Sequence, residues 1–111
     1  MSDLTEKFCE HAVEYIENVD CLITSFEYHV KALYEESTFI MPDVLKAQKL
    51  LESEETRKGS TTKPRLDEVA SRLQDVLNTL RPLCTDAHIL RIKSEQTYDE
   101  AVKDAGLEEL Q

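Results

Sequence analysis

The sequence predicts an all-α protein, an extended helical hairpin or coiled coil with two long helices over about residues 3–36 and 64–104 and a possible short helix at 42–55. Three observations predict this. Apolar residues recur at alternating intervals of three and four along two separate stretches, the mark of a helix that buries one stripe. Glycine and proline number two and three in 111 residues, which leaves little material for turns. Charged residues make up 32% of the chain and aromatic residues 6%, with no tryptophan, a balance suited to solvated helix surfaces and not to a sheet or a compact α/β core. The length allows one domain, 1–111, with a flexible polar loop at 52–64. A small helical rod buries little surface against itself, so partner helices are expected to supply the missing burial.

The first helix has a capping signal at its start, where Ser2 or Asp3 can cap the first turn and Asp3-x-x-Glu6 resembles a capping box. Its apolar positions are Cys9, Ala12, Ile16, Val19, Ile23, Phe26, Val30 and Leu33, spaced three and four apart for about four heptads. A second row, Phe8, Tyr15, Leu22 and His29, runs beside it at intervals of seven. The apolar face is therefore wider than a two-stranded seam needs, and suits a helix that touches two neighbours. Pro42 is expected to end this helix and push Met41 toward an extended backbone. It can then open a short helix whose face is Val44, Ala47, Leu50 and Leu51. Residues 52–64 hold no large apolar side chain, and Gly59 to Thr62 read as a mobile loop. From Pro64 onward, Leu66, Val69, Leu73, Val76, Leu80, Leu83, Ala87 and Leu90 repeat the heptad spacing, flanked by Ala70, Leu77 and Cys84. Pro82 cannot donate to the carbonyl of Asn78 and should kink this helix, but the heptad phase runs on through it. Gly106 reads as its C-terminal cap.

The formal net charge is −10. Residues 1–55 hold 13 acids and 4 bases, and residues 56–111 hold 10 and 9. That balance argues against nucleic acid as a partner, because phosphate binding needs a concentrated basic face. It argues likewise against an anionic membrane surface. Cys9, Cys21 and Cys84 are odd in number with no C-x-x-C, so buried thiols in a reducing compartment are expected, without disulfides. No signal peptide and no membrane-spanning run is legible, which places the chain in the cytosol or nucleus as an expectation.

No catalytic, cofactor-binding or metal-binding residues emerge, and an enzyme is not expected. His11, His29 and His88 are far apart in sequence, and Cys9 and His11 point to different helix faces. The two glycines, Gly59 and Gly106, form no phosphate loop. The candidate functional residues are instead a partner interface: Ile16, Val19, Ile23, Phe26, Val30 and Leu33 on the first helix, and Leu66, Val69, Leu73, Val76, Leu80 and Leu83 on the second. Helical subunits of other chains, two larger coiled-coil proteins foremost, are the expected partners.

Residues 17–31, ENVDCLITSFEYHVK, resemble the first helix of the smallest subunit of the spindle and kinetochore-associated (Ska) complex, through Asp20, Cys21–Leu22, Phe26-Glu27-Tyr28 and Lys31, with Phe8 at a similar distance before them. Residues 66–92 resemble that family's second helix, with Leu80-Arg81-Pro82-Leu83 where the family has an aromatic or apolar residue, a basic residue and a proline. The resemblance implies a scaffold subunit that bundles with helices of two larger subunits at the outer kinetochore and spindle, in chromosome segregation and cell division. Microtubule contact would be made by the other subunits. Membership of another helical assembly, such as an organelle-biogenesis or tethering complex, and a stand-alone three-helix chaperone are the alternative expectations.

Overall fold

The structure, a computed structural model, describes residues 3–53 and 57–106, with side chains described for 3–53 and 61–106. Among the described residues there are two helices and no strand: α1, Asp3–Glu52, and α2, Arg57–Asp104. The all-α hairpin class expected from the sequence is the one observed. Contacts group the chain into a terminal unit, Met1–His29 with Thr85–Gln111, and a central unit, Val30–Cys84.

In each unit α1 and α2 run antiparallel and share a heptad-spaced seam. In the terminal unit Val13, Ile16, Asp20, Ile23 and Glu27 are buried or half-buried, as are Ala87, Arg91, Ser94, Tyr98 and Ala101 on the opposite helix. In the central unit the corresponding positions are Val30, Tyr34, Ser37, Met41, Val44, Gln48 and Leu51, facing Lys63, Leu66, Ala70, Leu73, Leu77, Leu80 and Cys84. Cross-helix bonds in the central unit show the register: Gln48 donates to Asp67 at 2.8 Å, Arg81 to the Tyr34 hydroxyl at 3.4 Å, and the Cys84 thiol to the Val30 carbonyl at 3.9 Å. As numbers rise on α1 they fall on α2.

Two boundaries differ from the sequence expectation. The first helix does not stop near residue 36, and Met41 is not extended: α1 runs through Pro42 to Glu52, so no separate helix starts at residue 42. The polar loop expected at 52–64 is confined at its C-terminal side, because Arg57 to Pro64 already belong to α2; residues 54–56 lie outside the described residues. Pro82 sits inside α2, which continues through it as the unbroken heptad phase leads one to expect. All three prolines, Pro42, Pro64 and Pro82, are exposed. A proline removes one backbone bond and costs about 3 kcal/mol in a helix interior. On an outer face the freed carbonyl can be met by water, and the seam continues on both sides of Pro42 through Ser37, Met41 and Val44. Packing of those positions against α2 offsets a local cost that sequence reasoning counted as a break.

The helix end expected at Gly106 is present. Gly106 has φ +72°, its N–H donates to the Lys103 carbonyl at 3.0 Å, and the Ala105 N–H donates to Ala101 at 3.0 Å. A left-handed residue there closes the last carbonyls, and only glycine adopts it without strain.

Candidate partner-binding face

The seam between the helices is thin. Among the described residues the buried apolar side chains are Val13, Val30, Leu77, Leu80, Ala87 and Val102. Seventeen large apolar residues are exposed by contrast, so most of the greasy surface this sequence encodes is left facing out. A monomeric protein tolerates scattered exposed apolar residues, but a contiguous set marks an interaction surface.

The exposed set is ordered. On α1, Phe8, Ala12, Tyr15, Val19, Leu22, Phe26, His29 and Leu33 follow one another at steps of four and three, and all are exposed. This is a second heptad stripe, adjacent to the inner seam. Phe8 and Tyr15 are each 64% exposed, and Leu22 is 68% exposed. The charged residues between Phe8 and Tyr34 are Glu10, Glu14, Glu17, Asp20, Glu27 and Lys31, and none belongs to this stripe. On α2, Val69 and Val76 are exposed and Leu83 is half-buried in the central unit, and Leu90 is exposed in the terminal unit.

The twelve residues expected to form the partner interface therefore divide. Ile16, Ile23, Val30, Leu66, Leu73 and Leu80 lie in the inner seam, where the opposite helix of the same chain covers them in part. Val19, Phe26, Leu33, Val69 and Val76 are exposed, and Leu83 is half-buried. The sequence phase was shared between two stripes, and hydrophobicity alone assigned both to other chains. Apolar periodicity does not mark the inner seam, because its alternate positions are polar: Asp20, Glu27, Tyr34, Ser37 and Gln48 on α1, and Lys63, Arg91 and Tyr98 on α2. Nothing in the apolar periodicity could have found them. The outer positions Phe8, Tyr15 and Leu22 were visible as the row flanking the first seam.

In the terminal unit, outer and inner rows frame an open groove of about 440 Å³ between α1 and α2, lined by Tyr15, Ile16, Val19, Ile23, Leu90, Lys93, Ser94 and Thr97. A second depression of about 270 Å³ continues from Ile16 past Ala12 and Cys9 to Ala101 and Ala105. In the central unit Asp75, Val76, Thr79 and Leu80 line a depression of about 280 Å³.

Away from the apolar stripe the helices are joined by polar contacts. Glu27, 4% exposed, accepts from Arg91 and contacts His88 Nδ1 at 2.8 Å, and Arg91 also reaches Glu95 at 3.0 Å. A buried carboxylate needs such partners to remain in the seam. Asp20 Oδ1 is buried without a hydrogen-bond partner. Tyr98 is half-buried, and its hydroxyl pKa is raised by burial and by the nearby charges of Glu17, Cys21, Asp20 and Asp99. In the central unit the Lys63 ammonium bonds Asp67 at 2.7 Å, which raises the lysine and, with the Gln48 amide, lowers the carboxyl. These contacts fix register.

Among the described residues no group of three or more His, Cys, Asp or Glu side chains is placed to hold a metal ion, and no helix is long and apolar enough to cross a membrane. The three cysteines are free, Cys9 and Cys21 exposed and Cys84 half-buried. Cys9 and Cys21 thus do not take the buried positions expected of them. Compared with known proteins, the chain matches no family model, no curated protein and no solved structure.

Proposed function

We propose that this chain is a non-enzymatic scaffold subunit that contributes a helical hairpin to a larger helical assembly. The observation that carries the reading is the second heptad stripe on α1, which in the terminal unit runs Phe8, Ala12, Tyr15, Val19, Leu22 and Phe26 and is apolar and exposed. A stripe at that spacing matches the packing surface of another helix and gives a solvated hairpin no benefit. The inner seam accounts for hairpin formation without it. The stand-alone three-helix chaperone is disfavoured, since the segment that would supply its third helix is part of α1.

The resemblance of residues 17–31 and 66–92 to the smallest subunit of the Ska complex supports a place in kinetochore–microtubule attachment, with two larger coiled-coil chains as partners and microtubule contact made by them. The chain's acidic balance is compatible with that division of labour. Affinity purification of the tagged chain from dividing cells, with mass spectrometry and imaging of the tag, tests both levels. Recovery of helical subunits in fixed ratio with the chain, at kinetochores in mitosis, is the expected result. Recovery with helical partners elsewhere in the cell would replace the kinetochore assignment and keep the scaffold role. A folded monomer with no helical partner would refute the scaffold role itself.

A further inference from the structure

The charge of this protein is not spread over its two units. The terminal unit, Met1–His29 with Thr85–Gln111, contains fourteen acids against four bases, a net of −10; the central unit, Val30–Cys84, contains nine of each and is neutral. The same terminal unit holds the open, mainly apolar groove of about 440 Å³, walled by Tyr15 and Val19 on one side and Leu90, Thr97 and a single cation, Lys93, on the other. We propose that this groove is the docking site of one amphipathic helix from a different protein, whose apolar stripe is bordered by lysine and arginine.

The groove and its continuation extend along α1 from Cys9 to Ile23, which at the usual rise is about 20 Å, or roughly four turns of a bound helix. Its walls repeat at heptad spacing, so anchors at three- and four-residue steps would fill it. Apolar anchors give contact area but not choice. Choice comes from the field around the groove: the described residues of this unit hold twelve acids against four bases, and that excess of eight negative charges favours a basic partner and speeds its encounter. The same field disfavours a second copy in the groove, which would place one acidic terminal unit against another. It also repels anionic lipid and nucleic acid, so a protein helix is the occupant the chemistry selects. The inference rests on the scaffold reading and adds the location and chemistry of one partner.

The test uses the full chain and two synthetic helical peptides of roughly three heptads with the same leucine and isoleucine stripe, one flanked by lysine and arginine and the other by glutamate. The basic peptide is expected to bind with about tenfold or greater advantage over the acidic one, an advantage that shrinks as salt is raised. Val19→Asp and Leu90→Asp should abolish its binding, while Val76→Asp in the neutral unit should not; circular dichroism identifies variants that remain helical. Equal binding of the two peptides, no binding of the basic one, or binding that survives Val19→Asp and Leu90→Asp in helical chains would overturn the proposal. So would sedimentation of the wild-type chain as a dimer that those two substitutions dissociate. In the cell, retention of the helical partners by Val19→Asp together with their loss in Val76→Asp would refute this groove and leave the scaffold role standing. Absence of any helical partner from the wild-type purification would refute the scaffold role instead.

Discussion

Arg91→Met should destabilise the hairpin more than any other single removal of a polar contact. The Glu27 side chain is 5% exposed, and its carboxylate is held by Arg91 and His88. Breaking a buried ion pair from one side leaves an uncompensated charge and costs about 3–5 kcal/mol. Arg91 is 28% exposed and His88 keeps its contact with Glu27 at 2.8 Å, so the lower end applies, about 3 kcal/mol. For a chain of this size that is a fall in melting midpoint of roughly 10–20 °C. Glu27→Leu has a different balance. It strands only a partly exposed guanidinium that retains Glu95, and it adds an apolar side chain to the seam, so its net effect should be within about 1 kcal/mol of zero. The double variant, Glu27→Leu with Arg91→Met, should return close to the wild type, giving a coupling of about 2–3 kcal/mol. Urea denaturation followed by far-ultraviolet circular dichroism reads all four corners of the cycle. If Arg91→Met lies within about 0.5 kcal/mol of the wild type, or if the double variant is as unstable as Arg91→Met alone, the buried pair is not what organises this part of the seam.

Other outcomes follow from single positions. Asp20→Leu removes a buried acceptor that has no partner and should stabilise the chain by about 1–2 kcal/mol, measured in the same denaturation assay; a loss of stability would show that the carboxylate is satisfied. Pro42→Ala restores a backbone donor in the middle of α1 and should raise the melting midpoint, since the structure already keeps the helix intact there; a fall would mean that the proline shapes the helix in a way the seam needs. Tyr98 holds its proton to a higher pH when folded than when unfolded. Its contribution to stability is therefore whole below the ordinary tyrosine pKa near 10 and is lost as pH rises through the raised folded value, because the unfolded chain ionises first. Tyr98→Phe should flatten that fall in melts taken on either side of pH 10, and an unchanged slope would remove Tyr98 from the account. Phe26→Glu in the exposed stripe should abolish co-purification of partner helices while leaving helicity unchanged, whereas Glu17→Lys off the stripe should be tolerated. Equal tolerance at both positions would refute the stripe as an interface.

The helical character of this protein, its cap at Gly106 and the existence of apolar stripes on both arms were legible in the sequence, because period and composition are local properties. Which stripe closes the hairpin was not. Ile16, Ile23 and Val30 belong equally well to a seam with Val19 and Phe26 or to one with Asp20 and Glu27, and hydrophobicity favours the first. The tertiary structure takes the second, since Arg91 on the opposite helix pairs with Glu27, His88 contacts the same carboxylate, and a polar position becomes fit to bury. The same dependence on distant residues explains Pro42 and the start of α2 at Arg57. A proline or a polar run lowers helix propensity by an amount the local sequence can report, but the packing that outweighs it comes from a helix tens of residues away. Sequence thus determined that two long amphipathic helices form. Only the fold decided which of their faces meet each other, and so which apolar face stays exposed.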